Sequence, residues 1–310
     1  MVDVGGATQV QARDFPIVDA HQHFWEPQRN YHPWLSDEPM IPFRYGDYTA
    51  IRARFLPPDY LAGTGGWQVA KTVYVETEWD MRDPLGETRY IHDVAARYGL
   101  PNAVVAQAWL DGENAAELIA AQAVFPLVRS VRHKPRAAAS AELAQRGAAG
   151  GMDDPRWRDG FAQLAPNGLM FDLQTPWWHL DAAASLAADF PRTTIVLNHT
   201  GLPSDRSAEG LAAWRAAMER FARAPNAMLK ISGLGLARQP WRAEDNVPVV
   251  RDAIAIFGAA RCMFASNFPV DSLVGSFDTL FSGFAQAVQS MPHEVQRGLF
   301  HDNACRIYRL

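Results

Sequence analysis

The feature that most constrains this chain is a repeated alternation. Short, near-continuous apolar runs recur at 17–20, 71–76, 103–109, 127–132, 169–173, 194–197, 227–231 and 263–265. A strand with one face in water reads apolar-polar-apolar; a run apolar at nearly every position belongs to a strand covered on both faces, the habit of parallel sheets. Between the runs, segments 87–98, 113–121, 157–164, 182–190, 208–222, 247–257 and 277–289 place apolar residues at helical spacing. Several carry start signals: Asp111 and Asn114, the stretch Asp153-Asp154-Pro155, Asp181, and Ser207 followed by Glu209. Strand–helix alternation implies βαβ units, and eight such units in 310 residues predict a single-domain α/β fold, the (β/α)8 TIM barrel, over 15–310. A doubly wound open sheet is the runner-up. It is weakened because no Gly-x-Gly-x-x-Gly follows the first run. Residues 1–14 read as a flexible tail.

Composition narrows the function classes. A net charge of −5 supplies no electrostatic footprint for nucleic acid, so none is expected as a partner. No apolar stretch is long enough to span a bilayer, and the start has no basic segment followed by an apolar run, so no membrane association is expected and the cytoplasm is the expected location. Two cysteines, Cys262 and Cys305, are too few for a disulfide framework.

The first crossover is long. Residues 21–68 form a Pro- and aromatic-rich connection holding Trp25, Tyr31, Trp34, Phe43, Tyr45 and Tyr48. Long connections in compact domains are functional or disordered, and this one is too aromatic to be disordered. It leaves the C-terminal end of the first strand, where barrels build their active sites, and reads as a wall or lid. Its aromatics also leave room for a contact between copies in a homo-oligomer.

His21 and His23 follow the first strand at once. In extended chain, residues two apart point the same way, so both imidazoles reach one point above the barrel, and neutral imidazole is a common metal ligand. Here a resemblance enters. The stretch DAHQHFW, residues 19–25, resembles the opening motif of the amidohydrolase superfamily, and more narrowly its amidohydrolase-2 branch, with sugar-acid lactonases and pyrone-dicarboxylate lactonases. YVETEWD (74–80), VRH (131–133), FDLQ (171–174), LNHTGLP (197–203), KISGL (230–234) and FASNFPVD (264–271) extend it from residue 17 to the end. Each lies at the C-terminal end of a predicted strand.

The resemblance implies a hydrolase that opens a small lactone of the sugar-acid, pyrone or muconolactone type by water attack on the ring carbonyl. It implies catalytic roles for His21, His23 and His199, and for Asn267 and Asp271 after strand eight. Glu76, Arg132, His133 and Gln174 are expected to contact a small lactone or carboxylate substrate. Arginine's planar fork suits a carboxylate or developing oxyanion. Trp25, Trp177 and Trp178 are expected to offer flat faces to a ring. For cofactors, His21 and His23, with His199 and Glu76 as further candidates, could hold one divalent metal, zinc or manganese; an enzyme without metal is equally consistent with the residues. Gln174 stands where many relatives place a metal-binding histidine, which argues against a two-metal centre.

Strand eight departs from the pattern. Lactonase relatives usually carry aspartate there as general base; this chain has Asn267, which cannot accept a proton at working pH but can hydrogen bond through O and N. Asn198 likewise replaces an acid often found before the strand-six histidine. Three readings follow. Asp271 or a histidine takes over as base; Asn267 positions water beside a metal; or hydrolysis is lost, leaving a decarboxylase or C–C lyase, or a silent barrel that binds a sugar acid.

Overall fold

In the computed structural model, which describes residue 13 and residues 16–310, eight parallel strands stand in chain order. They are β1 (Ile17–Gln22), β2 (Val69–Val75), β3 (Ala103–Gln107), β4 (Val128–Arg132), β5 (Met170–Leu173), β6 (Ile195–Leu197), β7 (Ala227–Ile231) and β8 (Cys262–Phe264). The helices are α1 (Pro33–Ser36), α2 (Pro57–Ala62), α3 (Gly86–Tyr98), α4 (Ala115–Ala123), α5 (Pro155–Phe161), α6 (Leu180–Asp189), α7 (Ala208–Ala222), α8 (Ala243–Phe257), α9 (Phe277–Val288), α10 (His293–Arg297) and α11 (Asn303–Tyr308). This is the (β/α)8 barrel, with α1 and α2 inside the long first connection. The expected N-terminal tail lies outside the described residues apart from Arg13.

The doubly covered strands explain the sequence pattern. Val18, Ala20, Val73, Val75, Val105, Val196 and Met263 form an interior cluster that α11 joins through Ala304, Ile307 and Tyr308. Their strand neighbours Ile17, Tyr74, Val104, Leu197, Leu229 and Phe264 belong to the larger core that includes the outer helices. Alternate residues thus face barrel interior and helix layer, and both faces are apolar.

The expected boundaries differ by a few residues. Ser207 and Asp154 cap as anticipated, accepting from the backbone N–H groups of Gly210 and Arg156 at 3.0 Å each. By contrast α8 starts at Ala243, four residues before the expected start, with Pro248 inside it. Glu244 and Asp245 in its first turn favour that start by complementing the helix dipole.

Closure between β8 and β1 is narrow. The Asn267 N–H donates to the His21 carbonyl and the His23 N–H to the Phe268 carbonyl, both at 2.8 Å. Below them Asp19, fully buried, accepts from the Ser266 N–H at 2.8 Å, the Ser266 hydroxyl at 2.5 Å and the Tyr60 hydroxyl of α2 at 2.8 Å. One carboxylate therefore ties β1, the end of β8 and α2 together. Farther in, Lys230 of β7 and Asp172 of β5 form a fully buried ion pair at 2.6 Å. Asp172 also accepts from the Tyr308 hydroxyl at 2.9 Å and from Asn198 Nδ2 at 2.9 Å. Asn198 thus braces the barrel interior.

Replacing Asp19 by alanine takes the acceptor from two buried N–H groups, of Ser266 and His21, and from two hydroxyls, each costly to leave unmade. Chemical denaturation of Asp19→Ala is expected to show a loss of about 2 kcal/mol.

Candidate active site

The residues singled out from the strand ends do not all share one space. His21, His23 and His199 converge: the His21 ring lies 5.0 Å from the His23 ring and 4.5 Å from the His199 ring, centroid to centroid. A cavity of about 200 Å³ opens above them, lined by His23, His199, Asn267, Arg132, Glu76 and Gln174 on the barrel side. Trp25, Trp34, Ile41, Phe43 and Arg44 of the first connection line its other side, so this connection is a wall of the cavity.

Each histidine is held differently. The His23 Nδ1 lies 2.7 Å from the Val75 carbonyl. A carbonyl only accepts, so Nδ1 carries the proton and Nε2 is left with a bare lone pair in the neutral ring. Burial, reinforced by the Arg132 charge, pushes the His23 pKa down to about 3, so the ring is neutral at pH 7. His21 and His199 are also held well below the ordinary imidazole value, chiefly by burial, with His199 adding to the effect on His21 and Arg44 to that on His199. His199 Nδ1 sits 3.0 Å from the Ser232 hydroxyl, which can either donate or accept. Both His21 ring nitrogens are buried without a hydrogen-bond partner.

Arg132 is a strut as well as a donor. Its Nε donates to Glu76 Oε1 at 2.5 Å, Nη2 to the Glu76 carbonyl at 2.5 Å and Nη1 to Gln174 Oε1 at 2.9 Å. A guanidinium has five N–H groups, so two remain for a ligand. Burial alone would raise Glu76; the charges of Arg132 and Lys134 outweigh it and hold its carboxyl below the usual range. Glu76 Oε2 accepts from the Glu78 N–H at 2.8 Å, so both its oxygens are engaged.

Asn267 has a left-handed backbone, φ 57°, which asparagine tolerates better than most residues. Its Nδ2 donates to Asp271 Oδ1 at 2.7 Å, which turns its Oδ1 toward His23 Nε2 at 3.3 Å. Asp271 also accepts from the Tyr45 hydroxyl at 2.9 Å. It is fully buried and absent from the cavity wall, with its pKa raised by burial against the opposing pull of Arg44.

The other expected contacts lie elsewhere. His133 lines an adjoining outer cavity and accepts the Leu110 N–H at 3.1 Å. Trp178 lines a third cavity and donates to the Ala138 carbonyl at 3.1 Å. Trp177 packs edge-on against Trp178, 5.5 Å between ring centres, and is on neither of the cavities beside the histidines. Neither ring lines the histidine cavity. Trp25 is fully buried, donates to the carbonyls of Ile51 and Ala53 at 3.0 Å each, and stacks 5.9 Å from the His23 ring. Sequence reasoning did not single out Trp34, Phe43, Arg44, Glu78, Lys134 or Ser232 as site residues. Their signal was membership in the aromatic connection for Trp34, Phe43 and Arg44, and a place inside or beside a strand-end motif for the others: Glu78 in YVETEWD, Ser232 in KISGL and Lys134 just after VRH.

The architecture, the residues at the strand ends and the comparison with known proteins agree. The amidohydrolase family profile matches residues 18–310. This chain belongs to the amidohydrolase family. An uncharacterized protein, y4mH, from Sinorhizobium fredii is 37% identical over 96% of this chain and 99% of its own length. An L-fucono-1,5-lactonase from Burkholderia ambifaria is 31% identical over 94% of this chain and 95% of its own. Among solved structures, an amidohydrolase from Burkholderia multivorans, seen with bound zinc, superposes with a TM-score of 0.77 at 26% identity over 96% of this chain and 100% of that one.

Gly233, at φ 62°, lies so near His199 that an added Cβ would stand 2.7 Å from the histidine's Cβ and Cγ. Gly233→Ala is therefore expected to lower stability by about 2 kcal/mol in a denaturant titration and to shift the His199 ring resonances by NMR.

Proposed function

We propose that this amidohydrolase opens a small lactone by water attack on the ring carbonyl. One observation carries the reading: the neutral imidazoles of His23 and His199, just past β1 and β6, and the buried guanidinium of Arg132 at the end of β4 line one cavity of about 200 Å³, a space suited to a single substituted ring. The 31% identity to an L-fucono-1,5-lactonase supports the reaction class.

The two free N–H groups of Arg132 point this reading toward the carbonyl oxygen, where negative charge develops as the tetrahedral intermediate forms. His199 takes the proton of the attacking water at Nε2. The Ser232 hydroxyl, able to donate or accept, holds Nδ1 in either tautomer. As the acyl C–O bond breaks, the same nitrogen returns the proton to the ring oxygen, which leaves as an alcohol. Neutral His199 is the form a general base needs. Asp271 acts through Asn267: it fixes the amide so that Oδ1 faces His23, and burial behind Asn267 removes it from direct contact with water in the cavity.

The same arrangement fits a divalent metal. A bare His23 Nε2 faces the Asn267 Oδ1 at 3.3 Å with no proton between them, and His21 has two unpartnered buried nitrogens. Two lone pairs at that distance repel unless a cation lies between. His21, His23 and the Asn267 Oδ1 would hold the ion, zinc or manganese, which would supply Lewis-acid polarisation and a lower water pKa. Among the described residues no three His, Cys, Asp or Glu side chains form such a group, and Glu76 is engaged elsewhere. The third donor is a neutral amide, so the ion would be weakly retained.

Two tests follow. A panel of sugar and pyrone lactones assayed with a pH indicator is expected to show acid release. His199→Gln should lose about a hundred- to ten-thousand-fold in turnover, the range of a general base. Asp271→Ala should lose less, and unchanged turnover removes Asp271 from the mechanism. Binding without acid release makes the protein a silent barrel; carbon dioxide release from a carboxylate makes it a lyase. Separately, elemental analysis of protein purified without added metal should find well under one ion per chain, and Asn267→Asp, which supplies a charged ligand, should bring it close to one.

A further inference from the structure

The reaction chamber is not the whole cleft. A second cavity of about 400 Å³ shares Trp34, Ile41, Glu76, Glu78, Arg132 and Lys134 with the chamber, so the two adjoin along these six side chains. Its character is different. The chamber presents imidazoles and an amide opposite its aromatic wall; to the shared Trp34 and Ile41 the outer vestibule adds two further indoles, Trp79 and Trp109, and Met81, with no imidazole of the histidine cluster. Ile41 is 50% exposed and Met81 66% exposed, two large apolar side chains left in water at the rim of a catalytic cleft. A bare sugar-acid lactone confined to the chamber leaves Trp79, Trp109 and Met81 uncovered.

The polar groups of the vestibule narrow what it takes. Its two cations are already matched: Arg132 with Glu76, and Lys134 with Glu78. It therefore offers flat apolar faces rather than a grip for a second anion. Gln107 lines it and is almost fully buried, and its Oε1 has no hydrogen-bond partner. A buried acceptor without a donor is costly, and a ligand hydroxyl would relieve it.

We propose that the natural substrate carries an aromatic substituent, bearing a ring hydroxyl, that lies in this vestibule while the lactone occupies the chamber. This rests on the lactone-opening reading for the reaction and extends it to a substrate class. Indole and thioether surfaces receive the aryl face, and Gln107 accepts from its hydroxyl. Binding energy gained there is remote from the reacting carbon and serves to seat it.

The test compares δ-valerolactone with its phenyl and hydroxyphenyl derivatives, substituted at either end of the ester. The expected result is a gain in kcat/KM of about ten- to a hundredfold for the aryl lactones over the bare ring, from roughly 100 Å² of apolar surface removed from water. Met81→Ala should shrink that ratio about threefold or more. Gln107→Leu should abolish the preference for hydroxyphenyl over phenyl. Met81 is largely exposed, so its variant reads the vestibule without disturbing the core. Equal efficiency on bare and aryl rings overturns the proposal, as does a preference for a disaccharide lactone. If no lactone is hydrolysed, the reaction reading fails, and titration calorimetry with the ring-opened hydroxyphenyl acid judges the vestibule alone. Binding weakened by Met81→Ala and by Gln107→Leu sustains it; no binding to the wild-type protein overturns it.

Discussion

Two backbone hydrogen bonds close the barrel, and both belong to residues of the site. Asn267 donates to the His21 carbonyl, and His23 donates to the Phe268 carbonyl. The end of the eighth strand is thereby locked to the histidine pair of the first, and the side chains that face each other across the seam have little freedom to separate. Asp19 reinforces the same junction one step deeper, through Ser266 and Tyr60. Structural closure and chemical placement rest on the same few atoms, which is why the His-x-His pair and the strand-eight amide come together although 244 residues separate His23 from Asn267.

Around this seam the charges are arranged to cancel. Arg132 is matched by Glu76, Lys134 by Glu78 and Lys230 by Asp172, so the mouth and interior of the barrel hold ions without a large local field. The imidazoles, buried among these pairs, remain neutral. Neutral rings are the form able to take a proton from water or to offer a lone pair to a metal. An interior that stabilised imidazolium instead would silence both.

The long first connection contributes the opposite wall. Trp34 stacks on Phe43 at 5.7 Å, donates to the Thr77 carbonyl at 2.8 Å and receives the Tyr48 hydroxyl on its own carbonyl at 2.9 Å. These contacts clamp the connection onto the loop after β2, beside Glu76. One indole then faces both the histidine chamber and the vestibule, one of six side chains that the two cavities share.

Much of this was legible before any coordinates. Doubly apolar strands and helical spacing between them determine a parallel α/β sheet, because each run must be covered on both sides, and eight such units without a Gly-x-Gly-x-x-Gly after the first point to the closed barrel. The strand-end motifs determine that His21, His23, His199, Glu76, Arg132 and Asn267 face one end, because barrel topology sends every such end to the same rim. The sequence could not decide the direction in which a loop turns. Trp177 and Trp178 looked like ring-stacking residues but lie off the histidine cavity, Asp271 sits behind Asn267 rather than beside it, and Trp34 and Arg44 came to the site from a segment with no motif. Strand periodicity is a local property, carried by neighbours in the chain. The course of a loop, the tautomer set by Val75 on His23 and the pairing of Arg132 with Glu76 are settled by contacts between residues far apart in sequence, and only the folded packing can choose among them.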